Sequence, residues 1–306
     1  MPEEITELVS EIKRLKEERE ALILSHYYQR PEIQDLADFV GDSLELSRRA
    51  AATSARVLVF CGVHFMAETA AVLSPEKIVV IPDPKAGCPL AAMVTPEALR
   101  ARKEQLPGAA VVSYVNTTAA VKAESDIVCT SANAAKVVRS LPPGQEVLFL
   151  PDRNLGRYAA AQNPDRRIVL WDGYCYVHDQ MRAADILKAK EEHPAAAVLA
   201  HPECRPEVLA LADGVASTSG IIRFARESAA REFIIVTEEG LLHQLRKECP
   251  DKRFYLASPK LVCPDMKRIT LTKLHRSLYN LEPRVEVPKP VRERAVRAVE
   301  RMLAIS

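Results

Sequence analysis

Leu36-Ala37-Asp38-Phe39-Val40-Gly41-Asp42-Ser43, Glu124-Ser125-Asp126-Ile127-Val128-Cys129-Thr130-Ser131 and Leu211-Ala212-Asp213-Gly214-Val215-Ala216-Ser217-Thr218 are three renderings of one pattern. Each has an aspartate in third place and a hydroxyl in last place. Asp38, Asp126 and Asp213 step by 88 and 87 residues, and Ser43, Ser131 and Thr218 step alike. Two further sets keep the spacing. His26, Tyr114 and His201 close apolar runs and step by 88 and 87, while Cys88, Cys175 and Cys263 step by 87 and 88. Four landmarks on one period across three copies mark a repeated supersecondary unit.

Around these landmarks short apolar runs alternate with amphipathic helical patterns. The runs are Ala21–Ser25, Arg56–Cys61, Lys77–Ile81, Ala109–Val115, Ile127–Cys129, Glu146–Leu150, Ile168–Trp171, Ala196–Ala200, Gly214–Ser217, Phe233–Val236 and Arg253–Ala257. Many are apolar on both faces, as parallel strands covered by helices must be. Thr95-Pro96-Glu97 reads as an N-cap followed by proline at the first helical position. The expected fold class is α/β: three homologous three-layer α/β/α units with parallel sheets around a pseudo-three-fold axis. The expected boundaries are 1–94, 95–181 and 182–268, with a tail over 269–306 packed on the first unit. That tail ends in a helix with Val291, Ala295, Ala298, Val299 and Met302 on one face.

Composition narrows the function. The chain has 306 residues, 48% hydrophobic and 27% charged, the balance of a globular protein. A formal net charge of +1 and an aromatic content of 5% offer neither the basic field nor the stacking surface of a nucleic-acid binder. The apolar stretch from Val57 to Leu73 is interrupted by His64 and Glu68, so no membrane span is expected. The opening Met1-Pro2-Glu3-Glu4 is acidic and lacks the apolar core of a signal peptide, which points to a cytoplasmic protein with reduced thiols. No Gly-x-Gly-x-x-Gly or Walker A sequence is present.

Seven cysteines with no Cys-x-x-Cys exclude a local zinc ribbon. The period divides them. Cys61, Cys129, Cys204 and Cys249 fall off it and read as buried structural thiols. Cys88, Cys175 and Cys263 each lie in a loop after the last strand of a unit, and equivalent positions converge on a three-fold axis. Three thiolates at one point repel unless a cation holds them, and soft thiolates suit zinc or an iron–sulfur cluster. Ser43, Ser131 and Thr218 each follow a short strand and precede a helical pattern. A hydroxyl there ordinarily caps the helix, but three such N-termini on one axis form an anion site. His26, Tyr28, Tyr114, Asn116, His201 and Glu203 stand at the ends of the opening strands, and His201 with Glu203 makes a candidate acid–base pair.

Nearly end to end, the chain resembles the quinolinate synthase family. The resemblance rests on Ser25-His26-Tyr27-Tyr28-Gln29, Val40-Gly41-Asp42-Ser43-Leu44, Cys88-Pro89-Leu90-Ala91 and Ser113-Tyr114-Val115-Asn116-Thr117. It continues through Cys129-Thr130-Ser131-Ala132-Asn133, Leu150-Pro151-Asp152-Arg153-Asn154, Gly173-Tyr174-Cys175-Tyr176-Val177-His178, His201-Pro202-Glu203-Cys204, Ala216-Ser217-Thr218-Ser219-Gly220 and Cys263-Pro264-Asp265-Met266-Lys267. It implies an enzyme of NAD biosynthesis that condenses iminoaspartate with dihydroxyacetone phosphate to quinolinate, releasing phosphate and water. It also implies a [4Fe–4S] cluster on Cys88, Cys175 and Cys263, whose fourth iron stays open as a Lewis acid. By the same resemblance His26, Ser43, Tyr114, Asn116, Ser131, Ser217 and Thr218 fix carboxylates and phosphate. His201 and Glu203 move protons, Tyr28 assists late steps, and His178 lines the site. A transient partner would be an iminoaspartate-producing oxidase or dehydrogenase. Some relatives carry a cysteine pair just before the third ligand; here Ser258-Pro259-Lys260-Leu261-Val262 stands there, which speaks against a thiol switch.

Two rival readings make different predictions. An iron–sulfur oxygen sensor would have a fully ligated metal and no turnover. A metal-free phosphosugar lyase would be active without its cysteines; Lys85 and Lys260 lie near the periodic cysteines, but nothing in their loops activates them for Schiff-base chemistry.

Overall fold

The computed structural model describes residues 3–305. Met1 and Pro2, which open the leader reading, and Ser306, the last residue of the tail, lie outside the described residues. The chain builds three four-stranded, all-parallel sheets. The first holds β1 (Ala21–His26), β2 (Phe39–Gly41), β3 (Val57–Cys61) and β4 (Ile78–Val80). The second holds β5 (Ala110–Tyr114), β6 (Ile127–Cys129), β7 (Val147–Leu150) and β8 (Ile168–Leu170). The third holds β9 (Ala197–Ala200), β10 (Gly214–Val215), β11 (Glu232–Val236) and β12 (Arg253–Leu256). The strand order is the same in each: second, first, third, fourth. Every apolar run of the sequence coincides with one of these strands. β2, a three-residue edge strand that is half-buried over Phe39 and Val40, has no such run because its third place is glycine.

The repeated aspartates are the register pins of the sheets. Asp38 Oδ2 accepts the Ile23 N–H at 2.8 Å, Asp126 Oδ2 that of Val111 at 2.7 Å, and Asp213 Oδ2 that of Val198 at 2.7 Å. In return Ile23, Val111 and Val198 accept the aspartates' own N–H groups. Each pair closes a two-bond ring where the opening strand meets its edge partner. An otherwise orphaned edge donor is thereby satisfied.

Buried β3, β5 and β7 supply apolar residues to both faces of their sheets, with helices covering them. The three units meet in a closed ring. Asp42 accepts from Ser219 at 2.6 Å, Glu68 accepts the Ala119 N–H at 3.1 Å, and Arg205 donates to Asp179 at 2.7 Å. In the tail, the helix Leu271–Asn280 packs on the helix Glu3–Glu18. The helix Lys289–Leu303 buries Ala295, Ala298, Val299 and Met302 against the helices His64–Leu73 and Ala119–Lys122 and strand β6. No helix among the described residues is long and apolar enough to cross a membrane.

Candidate active site

In this strand order the chain leaves the opening strand in one direction and later returns on its other side. Ligands of open parallel sheets bind beyond the carboxyl ends of strands at such switch points. His26 ends β1, Tyr114 ends β5, and His201 follows β9 directly. All three border one central cavity, together with Tyr28, Ser43, Cys88, Asn116, Ser131, Cys175, His178, Glu203, Thr218 and Cys263. Of the candidate catalytic, binding and metal-ligating residues, Ser217 alone is not on its wall. Its hydroxyl accepts the Gly220 N–H at 3.3 Å as the cap of the helix Thr218–Glu227.

That cap explains why the neighbouring hydroxyls are available. In the first and third units capping falls one position before the periodic hydroxyl, where Asp42 caps the helix Ser43–Ala52 and Ser217 caps the third; in the second, Thr130 accepts the Ala132 N–H in the turn that precedes the helix Ala134–Ser140. Ser43, Ser131 and Thr218 are therefore left facing the cavity.

The cysteines divide as their spacing does. Cys61, Cys129, Cys204 and Cys249 are buried, whereas Cys88, Cys175 and Cys263 are half-buried at the cavity; none forms a disulfide. The three follow β4, β8 and β12, and the carbonyl of each accepts the N–H four residues on, opening a helical turn. Burial pushes the Cys88 thiol up to about 12, Cys263 up to about 11, and Cys175 well above the ordinary value. Negative neighbours add to this: Cys263 and Glu203 act on Cys88, Glu203 and Cys88 on Cys175, and Glu238 and Asp265 on Cys263. Such thiols ionise only when a cation compensates them.

Two carboxylates to which the sequence assigns no role anchor the loops of Cys175 and Cys263. Asp152 Oδ2 accepts the Cys175 N–H at 3.0 Å, and Glu238 Oε1 accepts that of Cys263 at 3.1 Å. They occupy equivalent places, two residues past β7 and β11; in the first unit Val63 stands two residues past β3. The polar residues that close apolar runs were the available signal, the same one that singled out His26 and His201.

Beside Cys175, His178, His201 and Glu203 form a buried cluster. His178 Nδ1 lies 2.9 Å from Glu203 Oε2 and 3.3 Å from Cys175 Sγ. The His178 and His201 rings stack at 4.8 Å. His201 reaches Glu203 Oε2 at 3.3 Å through Nδ1 and Ser131 Oγ at 3.2 Å through Nε2. Burial pushes the Glu203 carboxyl up, but the two imidazoles outweigh it and hold the group well below the usual carboxylate range. Burial lowers His201, and it lowers His26 to about 3, with His201 adding to the effect. Burial holds the Tyr28 and Tyr114 phenols protonated, reinforced by the charge of Glu203. Among the described residues, Cys175, His178 and Glu203 form a trio able to hold a metal ion, their ligand atoms lying within 4.8 Å of one another.

Asn116 Oδ1 and Glu203 Oε1 are buried acceptors with no hydrogen-bond partner among the described residues. Each such group costs about 1–3 kcal/mol. Both border the cavity, and a ligand bearing N–H or O–H groups satisfies them.

The model of the family described as Quinolinate synthetase A protein matches residues 10–304. A quinolinate synthase of Desulforudis audaxviator is 62% identical over 299 residues, covering 98% of each chain. One of Methanoregula boonei is 56% identical over 298 residues, covering 97% of this chain and 98% of that protein. Quinolinate synthase 1 of Methanosarcina acetivorans is 54% identical over 299 residues, covering 98% of each. With a family model spanning nearly its whole length and relatives this similar, the chain belongs to the Quinolinate synthetase A protein family of enzymes.

Proposed function

We propose that the chain condenses iminoaspartate with dihydroxyacetone phosphate to quinolinate, releasing one phosphate and two waters, with Cys88, Cys175 and Cys263 holding a [4Fe–4S] cluster. The observation that carries this reading is the meeting of one half-buried cysteine from each unit at the cavity that holds the His178–His201–Glu203 cluster. We take the units to span 1–94, 95–181 and 182–268, and the seven free thiols fit a cytoplasmic setting.

The donor set suits a polynuclear group. One tetrahedral zinc ion with bonds of about 2.3 Å would bring three sulfurs to about 3.8 Å of one another. The three cysteine sulfurs are not such a trio, since among the described residues only Cys175, His178 and Glu203 meet a 4.8 Å limit. A [4Fe–4S] cluster with three protein ligands supplies one open iron that polarises a bound oxygen or nitrogen.

The protein's residues supply the rest. Ser43, Ser131 and Thr218 offer hydroxyls to phosphate or carboxylate oxygens. Asn116 Oδ1 and Glu203 Oε1 accept from the imine N–H and the triose hydroxyls. Glu203, ionised, takes a proton in the carbonyl shift of the triose, and neutral His201 hands one on between Glu203 and Ser131. The apolar wall of Val63, Phe65, Met66 and Leu90 keeps water from the reactive imine. The test is turnover without oxygen: quinolinate and phosphate in equal amounts support the reading, and holoenzyme that makes neither rejects it.

A further inference from the structure

Arg48, Lys136 and Arg223 stand five residues beyond Ser43, Ser131 and Thr218, so they too step by 88 and 87 and add a fifth landmark to the period. They are exposed, one per unit, on the helices Ser43–Ala52, Ala134–Ser140 and Thr218–Glu227. All three border a second cavity of about 490 Å³. It adjoins the central one: Asp42 and Ser131 line both. Where Ser43 and Thr218 face the central cavity, their chain neighbours Leu44, Ser217 and Ser219 line the second. The layer of periodic hydroxyls therefore lies between the two.

The wall of the second cavity carries three cations and two carboxylates, Asp42 and Glu45. The carboxylates are engaged by uncharged donors. Asp42 accepts the N–H groups of Leu44 and Glu45 and the hydroxyl of Ser219, and Glu45 accepts the N–H of Asp42 and the hydroxyl of Tyr27. Neither Arg48 nor Arg223 has a carboxylate partner among the described residues. Arg48 gives an N–H to the Leu303 carbonyl at 3.2 Å and keeps its charge. Three charges against two leave the wall at +1; without the two arginines, one against two leaves it at −1. In a concave site with low-dielectric walls such a balance sets a focused field.

We propose that the second cavity is the entrance to the central one, and that Arg48, Lys136 and Arg223 draw anionic substrates into it by offsetting Asp42 and Glu45. This rests on the central cavity being the active site proposed above. The molecules which that site would take and release all carry negative charge: a phosphate ester, a dicarboxylic imine and a pyridine dicarboxylate. The cations act through space, from beyond the hydroxyl layer, so they govern capture and leave the chemical steps alone. One cation per unit keeps the attraction centred on the axis, where the three hydroxyls wait.

The test is the ionic-strength dependence of kcat/KM for dihydroxyacetone phosphate, at saturating iminoaspartate, in holoenzyme. Salt shortens the reach of a charge from about 30 Å at about 0.01 M to about 3 Å at about 1 M. Arg48→Gln/Arg223→Gln is expected to lower kcat/KM about 5–20-fold at the low ionic strength, with kcat unchanged. At the high ionic strength it is expected to come within about twofold of wild type. Arg48→Lys/Arg223→Lys keeps the charges and is expected to follow the wild-type salt curve. Arg246→Gln, at an exposed arginine of the helix Leu241–Glu248 that borders neither cavity, is expected to follow it as well. A loss in the double glutamine variant that persists undiminished at high salt, its absence at low salt, or an equal loss in the double lysine variant overturns the proposal. If the double glutamine variant does not fold, Arg223→Gln alone is expected to show a loss of about 2–5-fold with the same convergence, and its absence overturns the proposal equally. Wild-type holoenzyme that makes no quinolinate defeats the functional reading instead, so the two failures are distinguishable.

Discussion

His178 Nδ1 sits 2.9 Å from Glu203 Oε2, with the side chains 2% and 4% exposed. This pair binds the second unit to the third at the cavity and keeps Glu203 ionised where burial alone would protonate it. Glu203→Gln retains the shape and removes the charge. It is expected to lower kcat on the order of 10²–10⁴-fold, the range of a lost general acid or base, while bound iron stays at the wild-type level. Steady-state kinetics beside an iron assay checks this; unchanged kcat would remove Glu203 from proton transfer.

Asp152 and Glu238 hold the backbone of the Cys175 and Cys263 loops, and neither is among the ligands proposed for the cluster. In Asp152→Asn and Glu238→Gln an amide N–H can be turned toward the N–H of Cys175 or Cys263, so the anchor becomes a repulsion. Both variants are expected to weaken metal retention about 10–100-fold, read as faster iron loss to a chelator. Val63→Ala, at the equivalent place in the first unit, is expected to lose iron at the wild-type rate.

The register pins separate stability from function. Asp126→Ala leaves the buried Val111 N–H without its acceptor and is expected to cost about 1–3 kcal/mol in urea unfolding. It leaves the cavity intact, so iron content and kcat are expected to stay at wild-type values.

Lys122 is fully buried and donates to the carbonyls of Val115, at 2.8 Å, and Thr117, which flank Asn116. Burial lowers its pKa from 10.5 to about 8, opposed by Glu68 and Cys88. Between those values the unfolded chain holds a proton that the folded chain has shed, so folding gains stability as pH rises through the window. The unfolding free energy of wild type minus that of Lys122→Met is expected to rise about 2 kcal/mol between pH 7.5 and 9.5. A flat difference would mean that the two carbonyls hold the ammonium charged throughout.

Much of the fold is legible in the sequence because each unit repeats its chemistry as well as its shape. The aspartates recur because every opening strand has an N–H facing its short edge partner to satisfy, and the cysteines recur because every unit brings one thiol to the cavity. β2 leaves little trace, since an edge strand of three residues ending in Gly41 shows no apolar run. The caps lie one place before the periodic hydroxyls at the first and third helices: Asp42 and Ser43, like Ser217 and Thr218, both offer a side-chain oxygen, and only backbone geometry decides which caps and which faces the cavity. The anchoring roles of Asp152 and Glu238 stay hidden for another reason. Their partners are 23 and 25 residues away, and a hydrogen bond over such a span has no local pattern.

The most direct measurement is quinolinate formed by anaerobically reconstituted protein from iminoaspartate and dihydroxyacetone phosphate, comparing wild type, Cys175→Ser and Cys61→Ser. Wild type and Cys61→Ser are expected to be brown, to bind about four irons per chain and to turn over. Cys175→Ser is expected to be bleached and to make no quinolinate. Quinolinate from Cys175→Ser at the wild-type rate, or none from wild type with its iron in place, would contradict a metal centre assembled from one cysteine per unit.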